Sequence, residues 1–295
     1  MQINFTDNHE KNLLTELSAG ISKSKDVKVA VAFLKYSGYD LIKENIFECL
    51  ENGGEMEFLV GLDFNTTDAK AIKALQEIES DNPMLRCYCF SDALKNDTPV
   101  FHPKLYLLNN GSQATVIVGS SNLTGGGLKN NIEVNAIIKA HIGHEVISDV
   151  YGLYNRIKFR SLLFKPDADY LKNYEKIRQA FKKEYKKFQR EPANIELLAE
   201  LKQKEEALPK IKIDASALYG WQKLVFEHLP SGIFKTGDIY LFEEEFRKHY
   251  PENVNIQAKI RQILQQLRDF GTIFDIISNS KPQPQVSPLS FSHCS

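Results

Sequence analysis

The chain has 295 residues, 42% of them hydrophobic and 25% charged, with a formal net charge of −1. This is the composition of an ordinary soluble globular protein with room for two domains. It excludes a polycation held on nucleic acid by bulk charge, and no apolar run approaches the ~20 residues of a membrane span. The four cysteines, Cys49, Cys87, Cys89 and Cys294, lack zinc spacing, and Cys87 and Cys89 alternate in an apolar run as small hydrophobes do. No secretory leader opens the chain, so the expected location is cytoplasmic, with reduced thiols and no membrane contact.

Residues 9–23 place Leu13, Leu14, Leu17 and Ile21 on one side of an amphipathic helix. Residues 27–34 read as a buried strand, 39–51 as a helix stopped by Gly53-Gly54, and 56–62 as a second buried strand. Residues 67–79 are helical again, and Pro83 leads into a strand over 84–90. This alternation predicts a largely parallel sheet covered by helices. Three more strands then follow in quick succession, so the sheet is mixed. The loop 91–98 lies just before them, placed to border a site, and a helix over 144–157 closes the domain near residue 160.

Those three strands carry polar groups where a core wants none. His102 and Lys104 are two apart, which puts both on one face of a strand, with Leu105 and Leu107 turned away. Residues 114–119 form the second strand, which breaks at Gly119-Ser120-Ser121-Asn122. The third is expected to begin at Ile132, with Glu133 and Asn135 on one side. An imidazole can act as nucleophile or proton donor near neutral pH, and a lysine beside it suits a phosphate oxygen. Ser120 and Asn122 supply donors, and Gly125-Gly126-Gly127 allows backbone N–H groups close to an anion. Glu133 can accept from the second ring nitrogen and fix the tautomer. Singly, each feature has a bland explanation, a hydrogen-bonded histidine or a glycine-rich loop. Their conjunction and order make a kit for phosphoryl transfer that needs no metal or cofactor.

At His102-x-Lys104, Gly119-Ser120-x-Asn122 and Glu133 the chain resembles the phospholipase D superfamily. Many members carry an aspartate five residues after the lysine, where this chain has Asn109. Nuclease-like members often lack that aspartate, which leans the reading away from lipases. The family works with two facing histidines and this chain has one copy of the signature. The resemblance therefore implies a homodimer sharing one active site, with His102 as nucleophile, Lys104, Ser120 and Asn122 on the phosphoryl oxygens, and Glu133 orienting the histidine.

Residues 151–190 carry twelve lysines and arginines against four acids. Tyr174, Ile177, Phe181, Tyr185 and Phe188 trace a helical stripe among them. This reads as a solvated helix packing its stripe on a domain, or as a basic connector along a phosphate backbone. A second helix over 194–207 and a short irregular tether complete a connector, 161–215.

Residues 216–277 read as a separate small domain. Leu218, Trp221, Leu224 and Val225 form one helix face, 233–235 a short strand, and Ile239, Phe242 and Phe246 a second helix. A third helix, 256–270, buries Ile256, Ile260, Ile263, Leu264 and Leu267 and turns Ala258, Arg261, Gln262 and Gln265 outward. Residues 272–277 read as a wing strand. This segment is similar to the winged-helix domain of restriction endonucleases of the Dam-replacing type. Asn255, Gln257, Arg261, Gln262 and Gln265 are its candidate DNA contacts, since arginine and glutamine pair bidentately with purine edges. Residues 278–295, rich in Pro, Ser and Gln, read as a disordered tail.

Two rival sites fail on context. Pro166-Asp167 with Glu184-Tyr185-Lys186 imitates a metal-nuclease pattern, yet its second half lies inside a helical stripe. His141 and His144 at i, i+3, with Glu145 beside them, could suggest a metal but lack a third convergent ligand. The fold class expected is α/β: a phospholipase D-like mixed sheet flanked by helices (1–160), a basic helical connector and a small winged-helix domain. The function expected is a metal-independent, restriction-type endonuclease acting on double-stranded DNA through a phosphohistidine, with a partner methyltransferase the companion to look for. A lipid phosphodiesterase and a non-catalytic winged-helix DNA-binding regulator are the alternatives.

Overall fold

The computed structural model describes residues 1–9, 11–91, 100–160, 163–209, 217–270 and 273. The expected loop at 91–98 beyond Ser91, most of the tether, most of the wing strand and the tail fall outside the described residues. The chain divides into two compact units, Met1–Leu198 and Ala199–Ser295.

The first unit is a seven-stranded sheet in the order β1-β7-β6-β5-β2-β3-β4. Its strands are β1 Gln2–Thr6, β2 Asp26–Val31, β3 Glu55–Gly61, β4 Leu85–Phe90, β5 Lys104–Asn109, β6 Gln113–Gly119 and β7 Asn135–His141. Pairings β2–β3 and β3–β4 are parallel, and the other four are antiparallel. The sheet is mixed as expected, but more antiparallel than the strand–helix alternation suggests. The β5-β6-β7 run lacks the long connections that parallel crossovers require. The turn at 110–112 shows this: Asn110 Oδ1 accepts from the N–H groups of Ser112 and Gln113, and Gly111 has φ +93°.

Period-two alternation divides the side chains between two layers. Val27, Val29 and Val31 of β2 and Tyr106 and Leu108 of β5 face helices α1 Leu13–Ser22, α2 Tyr36–Glu51 and α3 Ala69–Asp81. Leu105 and Leu107 face the opposite side, with Ala114, Val116 and residues of a later helix, α5 (Glu145–Arg160). The α1 contact residues Leu13, Leu17 and Ile21 are those its i, i+4, i+8 spacing selects. Edge strand β1 was not expected, although Gln-Ile-Asn-Phe-Thr alternates as an edge strand should.

A short helix α4 occupies Gly125–Lys129. Helix α6, Ala168–Arg190, starts on an Asp167 cap and buries only Leu171, Tyr174 and Arg178 against the unit. Tyr174 OH donates to the Thr67 carbonyl at 3.0 Å, and Arg178 Nη1 donates to Asp68 at 2.6 Å. Helix α7, Pro192–Ala207, buries nothing.

The second unit contains α8 Trp221–Glu227, α9 Thr236–Tyr240, α10 Glu243–His249 and α11 Ile256–Asp269. Ile256, Ile260, Ile263, Leu264 and Leu267 of α11 meet Val225, Ile239 and Phe246 in its core. Two local expectations fail. Residues 233–235 are not a strand, and the second helix is split in two, with Phe242 the cap residue of α10.

Candidate active site

The site lies where the parallel strands β2 and β3 end and β5 begins, the usual place for ligands in an α/β sheet. His102 is two residues ahead of β5 rather than within it. Lys104 opens the strand, and its Nζ lies 2.7 Å from His102 Nδ1 and 3.2 Å from the His102 carbonyl. The β2–β5 register pairs Val31 with Lys104. Continued by two residues, it sets Phe33 beside His102, with ring centroids 5.8 Å apart in an edge-on arrangement. Lys104 Nζ is 6.0 Å from the same ring. Burial, and secondly the Lys104 charge, hold the His102 imidazole below its ordinary pKa. Burial also lowers Lys104, opposed by the Glu133 carboxylate. The lowered His102 pKa favours the uncharged form of the imidazole.

The second block approaches from the end of β6. Gly119 is required there: a Cβ would lie 2.2 Å from the Val134 carbonyl oxygen. Asn122 Oδ1 accepts the Phe33 backbone N–H at 2.9 Å, which fixes the amide and leaves its NH2 as the donor. Ser121 is buried, and its N–H and Oγ bond to the side chain of Asn135, which is itself 1% exposed. Tyr106 OH donates to the Ser121 carbonyl at 3.0 Å. The turn presenting Ser120 and Asn122 is therefore held from beneath by Asn135 and Tyr106.

Glu133 departs from expectation in two ways. The strand begins at Asn135, so Glu133 lies in the loop before it, with Ile132 fully exposed. Its carboxylate accepts from Ser120 Oγ and, at 3.2 Å, from Asn131 Nδ2, rather than from His102. The triple glycine is also not an open loop. It forms α4, where the Gly125 N–H donates to Ser37 Oγ and the Gly127 N–H to Thr124 Oγ1.

Residues 17–156 match the family model described as cardiolipin synthase, PLD-like domain, and residues 221–276 match the Dam-replacing HTH domain. The chain joins a phospholipase D-like domain to a Dam-replacing-type domain. Among solved structures it is similar to NucT from Helicobacter pylori, 18% identical over 55% of this chain and 99% of that one, TM-score 0.43. It is also similar to Nuc from Salmonella typhimurium, a phospholipase D family member, 16% identical over 56% and 99%, TM-score 0.44. A third is phosphatidylserine synthase from Haemophilus influenzae, 13% identical over 66% of this chain and 46% of that one, TM-score 0.45. No curated protein matches the sequence.

Within the phospholipase D-like domain, Asn109 is a structural residue. It lies at the end of β5 away from Lys104, donates to Tyr151 OH at 3.1 Å and accepts the Gly111 N–H at 2.8 Å. It pairs with Asp26, so an aspartate here would set two carboxylates opposite each other. Phe33 is not legible in the sequence as a site residue, because its only signal is the distant pairing of β2 with β5. Asn135 is legible as a strand residue but not as the support of the motif turn. The rival sites dissolve: Asp167 caps α6, Glu184 and Lys186 lie within that helix, and no metal-binding cluster exists among the described residues.

In the Dam-replacing-type domain, Gln257, Arg261 and Gln265 are exposed at i, i+4 and i+8 on one face of α11. Arg261 Nη1 donates to Tyr240 OH at 2.7 Å, and Gln257 Nε2 to Glu243 at 2.8 Å. Gln262 is half-buried and accepts from Lys259. Asn255 caps α11, its Oδ1 accepting the Ala258 N–H, so that oxygen is committed to the helix start.

Proposed function

We propose that this phosphodiesterase is a restriction-type endonuclease that cuts double-stranded DNA without a metal, through a phosphohistidine, at a site shared by two copies. The observation carrying the reading is the group of a depressed imidazole, Lys104 2.7 Å from it, and the Asn122 amide locked as a donor. In the first step a nitrogen of His102 attacks phosphorus and the P–O bond to the leaving group breaks. His102 of the partner subunit gives its proton to the departing oxygen. It then takes a proton from water, whose oxygen displaces the imidazole and frees the phosphate monoester. Lys104, Ser120 and Asn122 hold the phosphoryl oxygens as charge develops.

One imidazole cannot serve as nucleophile and leaving-group acid in the same step, and no second histidine contacts His102 among the described residues. Beside the site, Ile132 and Val134 flank Glu133 and are 99% and 63% exposed, an apolar surface that favours a second copy. The Dam-replacing-type domain supports DNA over lipid, and no helix among the described residues is long and apolar enough to cross a membrane.

The test is cleavage of methylated and unmethylated plasmids with excess chelator. Cutting that persists under chelation and is lost in His102→Ala supports the reading. Cutting by His102→Ala, or its loss on chelation, overturns it.

A further inference from the structure

The stripe on α6 begins in the core and runs off it. Tyr174 is buried, but Ile177, Phe181, Tyr185 and Phe188 are 52%, 62%, 61% and 46% exposed. Their spacings of four, four and three keep them on one face, and Tyr185 and Phe188 stack with centroids 6.5 Å apart. Helix α7 repeats the pattern: Ile195, Leu198 and Leu201 are each about half exposed, and no residue of this helix is buried. Helices of this length gain most of their stability by packing an apolar face, so two uncovered ones in series imply a cover.

Charge indicates what that cover is. Lys182, Lys183, Lys186 and Lys187 flank the stripe on α6, so α6 would repel a second α6. Glu196 and Glu200, one turn apart, flank the stripe on α7. Among the described residues none of Lys183, Lys186, Lys187, Glu196 and Glu200 has an ion-pair partner within the chain. Apolar faces of matching kind with opposite flanking charge fit one another. DNA is a poorer occupant, since phosphates do not cover an aromatic stripe and the acidic α7 repels them.

We infer that α6 and α7 form a dimerisation arm, the basic face of α6 in one copy packing against the acidic face of α7 in another. The contact is two-fold and self-complementary, each copy giving one α6 and one α7. The inference does not depend on the nuclease reading.

The test uses the full chain in two charge variants. One carries Lys183→Glu, Lys186→Glu and Lys187→Glu; the other carries Glu196→Lys and Glu200→Lys. Sedimentation equilibrium should show each variant alone dimerising at least about tenfold more weakly than the native chain. Mixed in equal amounts, they should recover native affinity, because each α6 then meets an oppositely charged α7. A monomeric native chain, unchanged affinity in either variant, or failure of the mixture to recover overturns the arm. So does unchanged mass with loss of DNA affinity in the α6 variant, which would make that face a DNA surface. Cleavage by these variants bears only on the nuclease reading, so the two can fail separately.

Discussion

At the scale of single residues, the proposed chemistry depends on keeping one imidazole neutral yet reachable. Burial lowers the His102 pKa and the Lys104 charge lowers it further. A lowered pKa leaves the base form populated below the ordinary imidazole range, so the acid limb of the cleavage profile should lie on that side. Phe33 is a positioning residue here: its ring walls His102 and its N–H fixes Asn122. Phe33→Ala removes the wall but keeps the backbone donor. The expected outcome is a rise in the His102 pKa, read by NMR titration of its ring protons, with cleavage slowed roughly tenfold by loss of orientation. Phe33→Leu, which restores apolar bulk, should recover most of both; an unmoved His102 titration in the alanine variant would refute the role. Lys104→Met should also raise that pKa, and should cost about 10²–10³ in kcat because a donor to the developing charge is lost.

Elements show which features the sequence made legible. Helices α1, α3 and α11 follow from apolar residues recurring at helical spacing, a purely local property. The motif order was legible because each block is contiguous. What failed to show was decided by contacts distant in sequence: β1 pairing with β7, Phe33 meeting His102, and Glu133 held by Ser120. The triple glycine reads as a loop by propensity, yet Thr124 and Ser37 take up two of its N–H groups and make it helical. Helix α6 was half legible. Its stripe was visible, but not that only its first turns are covered, where buried Arg178 joins Asp68 and Glu175. Arg178→Ala should destabilise the first unit by about 1–2 kcal/mol, less than a fully buried pair because both carboxylates keep some solvent. The Arg178 hydrogen bond is the largest cause of the lowered Glu175 pKa. That contribution is present above the ordinary carboxylate range and is lost as pH falls through the lowered value. Melting curves should therefore separate native chain and variant at neutral pH and converge in acid; a difference that persists in acid would count against the ion pair.

For the whole molecule, a net charge of −1 means DNA cannot be held by bulk attraction, so affinity must be local. The two halves offer different kinds of contact. In the proposed reading His102, Lys104 and Asn122 address a phosphodiester, which every sequence shares, whereas Gln257, Arg261 and Gln265 present a row of groups suited to base edges. Arg261 is already steadied by Tyr240, whose ring centroid is 6.0 Å from the guanidinium carbon, so little order is lost on binding. A split of labour follows and can be measured with two substrates. Arg261→Ala should weaken binding to the preferred DNA by about tenfold or more, the value of a bidentate base contact. The same change should leave hydrolysis of a small chromogenic phosphodiester at the native rate, since that substrate engages only His102 and its neighbours. His102→Ala should do the reverse, abolishing hydrolysis of the small diester and of DNA while retaining DNA binding that weakens as salt rises. If Arg261→Ala slows the small diester as well, recognition and chemistry are not divided between the two units in this way.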